Sequence, residues 1–238
     1  PKVIAHRGAS AYATENTLSA VQKAIDLNSD AVEVDIWRTM DDSLIVFHDR
    51  TTQRLAGDSL VVPEVSFEEL RNLRLKGDEK IPSLRGVLQI LPENMEIFIE
   101  IKCCWEKGDA GNVFPILSEM LHETGTDNRA TIISFNPAKL QDAREFLPEV
   151  PAYWLTGKKA SPRKIVDQAL NVRSDGINVH YGILSEELVD KAHKSGLGVY
   201  TWTVNDSGKA EELLSKYNLL GITTDRPDEI ARVIAQIR

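Results

Sequence analysis

Lys2-Val-Ile-Ala-His-Arg-Gly8 opens the chain as a short apolar strand that runs into a single glycine. Leu18, Val21, Ala24 and Ile25 then recur with helical spacing between Asn16 and Leu27, and Asn16 or Thr14 is placed to cap that helix. Ala31-Val-Glu-Val-Asp-Ile36, rich in β-branched residues, follows as a second strand. Strand, helix and strand in this order make a parallel βαβ unit. A doubly wound open sheet would normally carry a glycine-rich phosphate turn after its first strand. Gly8 stands alone there, which favours a closed barrel.

The same alternation resumes further along. Strands are predicted at 97–101, 130–134, 152–155, 176–179, 199–203 and 221–224. Helices are predicted near 112–124, 137–147, 162–170, 185–195, 207–217 and 228–237. With the first two strands the count reaches eight, the number that closes a (β/α)8 TIM barrel. The rhythm breaks between residues 43 and 95. Ser43–Asp49 reads as a hairpin partner after an Asp41-Asp42 turn, Ser66-Phe-Glu-Glu69 as a capping box, and Ser83–Leu91 as a helix. No Pro/Gly linker divides the chain, so one domain over 1–238 is expected.

The chain has 238 residues, 42% of them apolar, enough for a sizeable core. Its 28 basic and 36 acidic residues give a net charge of -8, which argues against a nucleic-acid partner. A small phosphorylated substrate is compatible with that charge, because net charge says little about one pocket. The two cysteines, Cys103 and Cys104, are neighbours and imply no disulfide framework. No run of 18 apolar residues offers a membrane span, so no stable membrane insertion is expected. Val3-Ile-Ala5 is too short for the apolar region of a signal peptide. A cytoplasmic location is expected, with a removed leader left open because the chain starts at Pro1. Composition says nothing about oligomeric state.

Several strand residues are polar where barrel strands are usually apolar. Glu33 and Asp35 are two apart and share one face of their strand; Glu100 and Lys102 repeat the pattern on the next barrel strand. Three buried carboxylates would repel one another unless compensated. A hard divalent cation with all-oxygen ligation, Mg²⁺ or Ca²⁺, removes that problem, whereas no Cys/His spacing suggests zinc. Ion pairs such as Glu33 with Arg7 and Glu100 with Lys102 are the competing reading. His6 and His48 each end a β segment near these carboxylates and suit general acid and base roles, or are structural. His122 and His193 read as surface residues, and His180 as a residue of the barrel mouth. Trp202 and Phe135 sit at strand ends, either packing in the core or touching an apolar part of a substrate.

The motifs Ile4-Ala-His-Arg-Gly-Ala-Ser10 with Glu15-Asn-Thr17, Glu33-Val-Asp-Ile36 with Val46-Phe-His-Asp49, Ile99-Glu-Ile-Lys102, Thr201-Trp-Thr-Val-Asn205 and Thr223-Thr-Asp-Arg-Pro227 occur in order along the chain. Together they resemble the glycerophosphodiester phosphodiesterase family. The resemblance implies a (β/α)8 barrel with a small insertion between the second and third barrel strands, here about 43–95. It implies Glu33, Asp35 and Glu100 as ligands of one divalent cation and His6 and His48 as the acid–base pair. Arg7 and Lys102 become phosphate contacts, and Phe135 and Trp202 neighbours of the glycerol or alcohol moiety. The implied reaction is hydrolysis of a small glycerophosphodiester to sn-glycerol 3-phosphate and an alcohol. Head group, acid–base order and a cyclic intermediate versus direct water attack stay open. Two departures, Ala13-Thr14 where a proline is common before Glu15 and Asp42 where a turn glycine is common, affect loop shape. The nearest alternative is a lysophospholipase D-like or sphingomyelinase D-like phosphodiesterase on the same barrel. A binding module on a degenerate barrel would be expected to lack part of the histidine–carboxylate set.

Overall fold

A computed structural model describes residues 1–102 and 113–237. Nine strands are present among them: β1 (Lys2–His6), β2 (Ala31–Arg38), β3 (Leu44–Val46), β4 (Glu96–Ile101), β5 (Ala130–Ser134), β6 (Ala152–Thr156), β7 (Gly176–His180), β8 (Gly198–Trp202) and β9 (Gly221–Thr224). Eight of them pair in parallel around a ring, β1-β2-β4-β5-β6-β7-β8-β9, and β9 closes on β1. The chain is therefore a (β/α)8 TIM barrel. β3 lies outside the ring, antiparallel to β2, with Ile36 opposite Val46. The turn between them places Asp42 at φ 63, a left-handed conformation that asparagine and aspartate tolerate better than most residues. The pair Cys103-Cys104 lies outside the described residues.

Between the strands run α1 (Leu18–Asp26), α2 (Gln53–Ala56), α3 (Phe67–Arg71), α4 (Leu84–Ile90), α5 (Phe114–Glu123), α6 (Pro137–Phe146), α7 (Pro162–Asn171), α8 (Glu186–Lys194), α9 (Ser207–Lys216) and α10 (Pro227–Ile237). Their starts are written locally. Asn136-Pro137 and Ser161-Pro162 set a capping side chain before a proline that needs no amide partner. Ser66 and Glu69 form the reciprocal capping box of α3. For α1 the cap is Thr17, not Asn16 or Thr14. Thr14 donates instead to Lys76 O, and Asn16 turns away at φ 58 toward β2.

The core has layers. Ile4, Ala31, Phe98, Ile133, Leu155 and Tyr200 form one apolar cluster inside the barrel, with Phe98 and Tyr200 edge to face at 5.2 Å. Larger clusters join the outer strand faces to the helices. Trp37, Ile45, Phe47, Leu55, Val62, Leu70, Leu75 and Ile81 make a separate cluster under residues 44–81. Among the described residues, no helix is long and apolar enough to cross a membrane.

Gly8 fixes the loop that leaves β1. It has φ +80, and a Cβ there would sit 2.5 Å from the carbonyl carbon of Ala20. Ala9 N donates to Ala20 O at 2.9 Å, so the loop cannot back away without losing that bond. Gly8→Ala is expected to destabilise the protein by about 2 kcal/mol or more, lowering Tm by about 4–8 °C in thermal unfolding. An unchanged Tm would contradict the tight packing of this loop on Ala20.

Candidate active site

The register of the barrel brings the polar residues to one level. His6 on β1 is opposite Glu33 on β2, and Asp35 on β2 is opposite Glu100 on β4. His6 ends β1 and Glu100 lies one residue from the end of β4, while Glu33 and Asp35 sit within the longer β2 at the level this register sets, toward the face on which barrel enzymes carry their sites. Oxygens of Glu33, Asp35 and Glu100 fall within 4.8 Å of one another, and all three residues are buried. Burial, then the charges of Asp35 and Glu100, push Glu33 well above the ordinary carboxylate range. Burial and Asp35 likewise push Glu100 up to about 7, against the opposing pull of Lys102. For Asp35 burial acts in the same sense, but Lys102, Arg7 and a hydrogen bond from Asn16 outweigh it and hold it low.

This cluster fits a hard divalent cation. Its donors are all oxygen, and two of its three carboxyls favour protons when no cation balances them. Lys102 Nζ lies 2.6 Å from Glu100 Oε1 and 2.9 Å from Asp35 Oδ1. The sequence-level pairing of Arg7 with Glu33 is not what forms. The Arg7 guanidinium pairs with Glu15 at 2.8 Å and approaches Asp35 at 3.3 Å, while the Arg7 backbone N–H donates to Glu33 at 2.9 Å. Arg7 reaches this geometry with a left-handed φ of 54, a local strain held by its many partners.

Each histidine has a carboxylate behind it. His6 Nδ1 meets Asp225 Oδ1 at 2.7 Å, and His48 Nδ1 meets Asp49 Oδ1 at 2.6 Å. A carboxylate at Nδ1 keeps the proton on that nitrogen and leaves Nε2 to exchange one. Asp225 is held in place by Ser10 and Asn205 as well. Burial would raise it, yet the bonds from His6, Asn205 and Ser10 hold it at about 2. Burial lowers His48, reinforced by Lys102 and Arg7 and opposed by Asp35 and Asp49.

Sequence reasoning missed these supporting residues. Asn16 donates to Asp35 Oδ2 at 2.7 Å and accepts the Asp35 amide at 3.2 Å, so it clamps a site carboxylate rather than a helix. Arg54 on α2 reaches Asp49 at 2.6 Å and both oxygens of Glu15 at 2.7 Å. It thus steadies the partner of His48 and the partner of Arg7 together. Arg54→Ala is expected to lower kcat by ~10–100-fold in steady-state kinetics, with Arg54→Lys restoring only part, because a lysine cannot fork between two carboxylates. Unchanged kcat in Arg54→Ala would mean the clamp has no role.

His6, Arg7, Glu33, His48, Glu100, Phe135 and Trp202 line one cavity of about 150 Å³. Phe135 and Trp202 meet edge to face at 5.5 Å and form an aromatic wall beside the carboxylates. His180 also packs edge to face on Trp202, at 5.3 Å. His122 is 88% exposed and His193 lies on α8, both away from this cavity.

A model of the glycerophosphoryl diester phosphodiesterase family matches residues 6–229. The chain belongs to that family. A glycerophosphodiester phosphodiesterase of Caldanaerobacter subterraneus subsp. tengcongensis is 29% identical, over 98% of this chain and 97% of that one. A solved glycerophosphodiester phosphodiesterase from Thermotoga maritima superposes with a TM-score of 0.80 at 25% identity, covering 99% of this chain and 97% of that one. An Oleispira antarctica phosphodiesterase superposes with a TM-score of 0.82 at 24% identity, covering 99% and 97%. That protein was solved in complex with the product sn-glycerol-3-phosphate. The chain is accordingly an enzyme of the phosphoric diester hydrolase class.

Proposed function

We propose that the chain hydrolyses small glycerophosphodiesters to sn-glycerol 3-phosphate and an alcohol, in the cytoplasm. In this reading Glu33, Asp35 and Glu100 hold one divalent cation, Mg²⁺ or Ca²⁺, and His6 and His48 are the acid–base pair. The observation that carries the proposal is the convergence of two carboxylate-backed histidines with Glu33 and Glu100 on one small cavity, with a buried Asp35 oxygen within 4.8 Å of both glutamates. The sn-glycerol-3-phosphate held by the Oleispira antarctica protein on the same barrel points to the same product. Residues 1–238 would work as one catalytic unit, with the 43–95 insertion supplying His48.

A bound cation would screen the phosphate and polarise its oxygens. Arg7 and Lys102 bring positive charge beside the three carboxylates, and a divalent cation would offset more of the negative charge there. An acidic protein can thereby receive a phosphodiester anion. One histidine takes the proton of the attacking hydroxyl and the other protonates the leaving alkoxide. The Phe135–Trp202 wall gives the glycerol carbons an apolar surface to lie on.

The test is release of sn-glycerol 3-phosphate from a panel of choline, ethanolamine, inositol and glycerol diesters, with Mg²⁺ and with Ca²⁺. Release from at least one diester is expected. No release from any of them with either cation would rule the proposal out.

A further inference from the structure

Asn178 lies in the middle of β7, between Ile177 and Val179, which pack outward among the helices. Its side chain therefore turns into the barrel. Its register partners there are Leu155 on β6 and Tyr200 on β8, both members of the apolar cluster inside the barrel. Asn178 lines the catalytic cavity and is 1% exposed. Its carboxamide oxygen has no hydrogen-bond partner among the described residues. An amide buried without a partner costs stability, and an apolar side chain of similar size would fill the same space without that cost. A ligand that supplies the bond offsets it. The amide is not needed to set the aromatic wall, because the indole N–H of Trp202 donates to the backbone carbonyl of Asn178, at 3.1 Å.

We infer that the Asn178 carboxamide hydrogen-bonds the terminal hydroxyl of the substrate's glycerol, and that the enzyme requires this hydroxyl. The inference rests on the proposed phosphodiesterase reading. β7 stands four strands from β2 in either direction around the ring, so Asn178 faces Glu33 and Asp35 across the barrel. A phosphate held beside Arg7, Lys102 and the carboxylates leaves the terminal hydroxyl, the glycerol oxygen farthest from phosphorus, to reach the opposite wall. The glycerol carbons then lie along Trp202, which lines the same cavity. A hydroxyl both donates and accepts, so it pairs with either end of the amide. The glycerol is also the part that all substrates of this reaction share, whereas an esterified choline carries no hydroxyl for Asn178 to bind.

The experiment compares glycerophosphocholine with its 1-deoxy analogue, the phosphocholine diester of propane-1,2-diol with the same configuration at carbon 2. It uses the wild type and Asn178→Leu. Wild type is expected to favour glycerophosphocholine by about 10²-fold or more in kcat/KM, because a site built to bond a hydroxyl rejects the analogue that lacks it. Asn178→Leu is expected to lose about 10²-fold on glycerophosphocholine and to change by less than about threefold on the deoxy diester, so the preference collapses. A merely structural defect would lower both alike. Calorimetry in the presence of Mg²⁺ gives a readout independent of turnover. Wild type is expected to bind sn-glycerol 3-phosphate about tenfold or more tighter than propane-1,2-diol 1-phosphate, and Asn178→Leu to bind the two alike. A wild type that cleaves both diesters equally well would overturn the inference whether or not the variant folds, as would a variant that keeps the preference. If neither diester is cleaved, the proposed reaction fails and calorimetry alone decides: equal binding of the two phosphates by wild type, or no binding of either, overturns the role of Asn178.

Discussion

His48→Ala is expected to cut turnover of a glycerophosphodiester by ~10²–10⁴-fold while the barrel stays folded, and His6→Ala is expected to do the same. The loss follows from the proton that each imidazole would move. The retained fold follows from what each leaves behind. His6 is 21% and His48 31% exposed at the side chain, so truncation opens no sealed cavity. Asp225 keeps Ser10 and Asn205, and Asp49 keeps Arg54, so neither carboxylate is stranded. The double variant is expected to lose little beyond the worse single one, because paired groups in one step are not additive. Steady-state kinetics with circular dichroism on the same samples checks all three proteins. Full activity in the double variant would remove the histidines from the chemistry.

Stripping the divalent cation is expected to have a comparable or larger effect. Loss of ~4 kcal/mol of charge stabilisation in the transition state is about 10³-fold in rate. Glu33→Gln and Glu100→Gln are expected to reproduce that loss and to abolish the rise in Tm that added Mg²⁺ or Ca²⁺ gives the wild type. Without a cation, however, each variant is expected to be at least as stable as the wild type, because it removes a buried carboxyl crowded by Asp35. Thermal unfolding with and without cation separates the two effects. A variant that is simply unfolded, or one that keeps its cation-dependent Tm rise, would contradict the assignment of the triad.

How much of this was legible depended on distance along the chain. The two-residue alternation of a strand placed Glu33 with Asp35, and the eight-fold alternation of strands and helices set Glu100 beside them. Those relations are local or repetitive, so the barrel and the carboxylate face could be read directly. The partner of His6 could not, since Asp225 lies 219 positions away and meets it only because β9 closes on β1. Asn16 misled for a different reason. Its residue type suits a helix cap as well as a carboxylate clamp, and only its left-handed backbone and its bonds to Asp35 decide between them. Arg54 has the sequence surroundings of a surface residue, and its three bonds exist only because the insertion folds back over the mouth. The capping box at Ser66 was read correctly because all its parts lie within four residues.

The most direct measurement is release of sn-glycerol 3-phosphate from glycerophosphocholine by wild-type protein, assayed after exhaustive chelation and again after Mg²⁺ or Ca²⁺ is restored. The chelated protein is expected to be inactive, and one added cation is expected to restore product formation. Undiminished release from protein shown to hold no bound cation, or no release under any condition, would contradict a cation-loaded carboxylate triad working with His6 and His48.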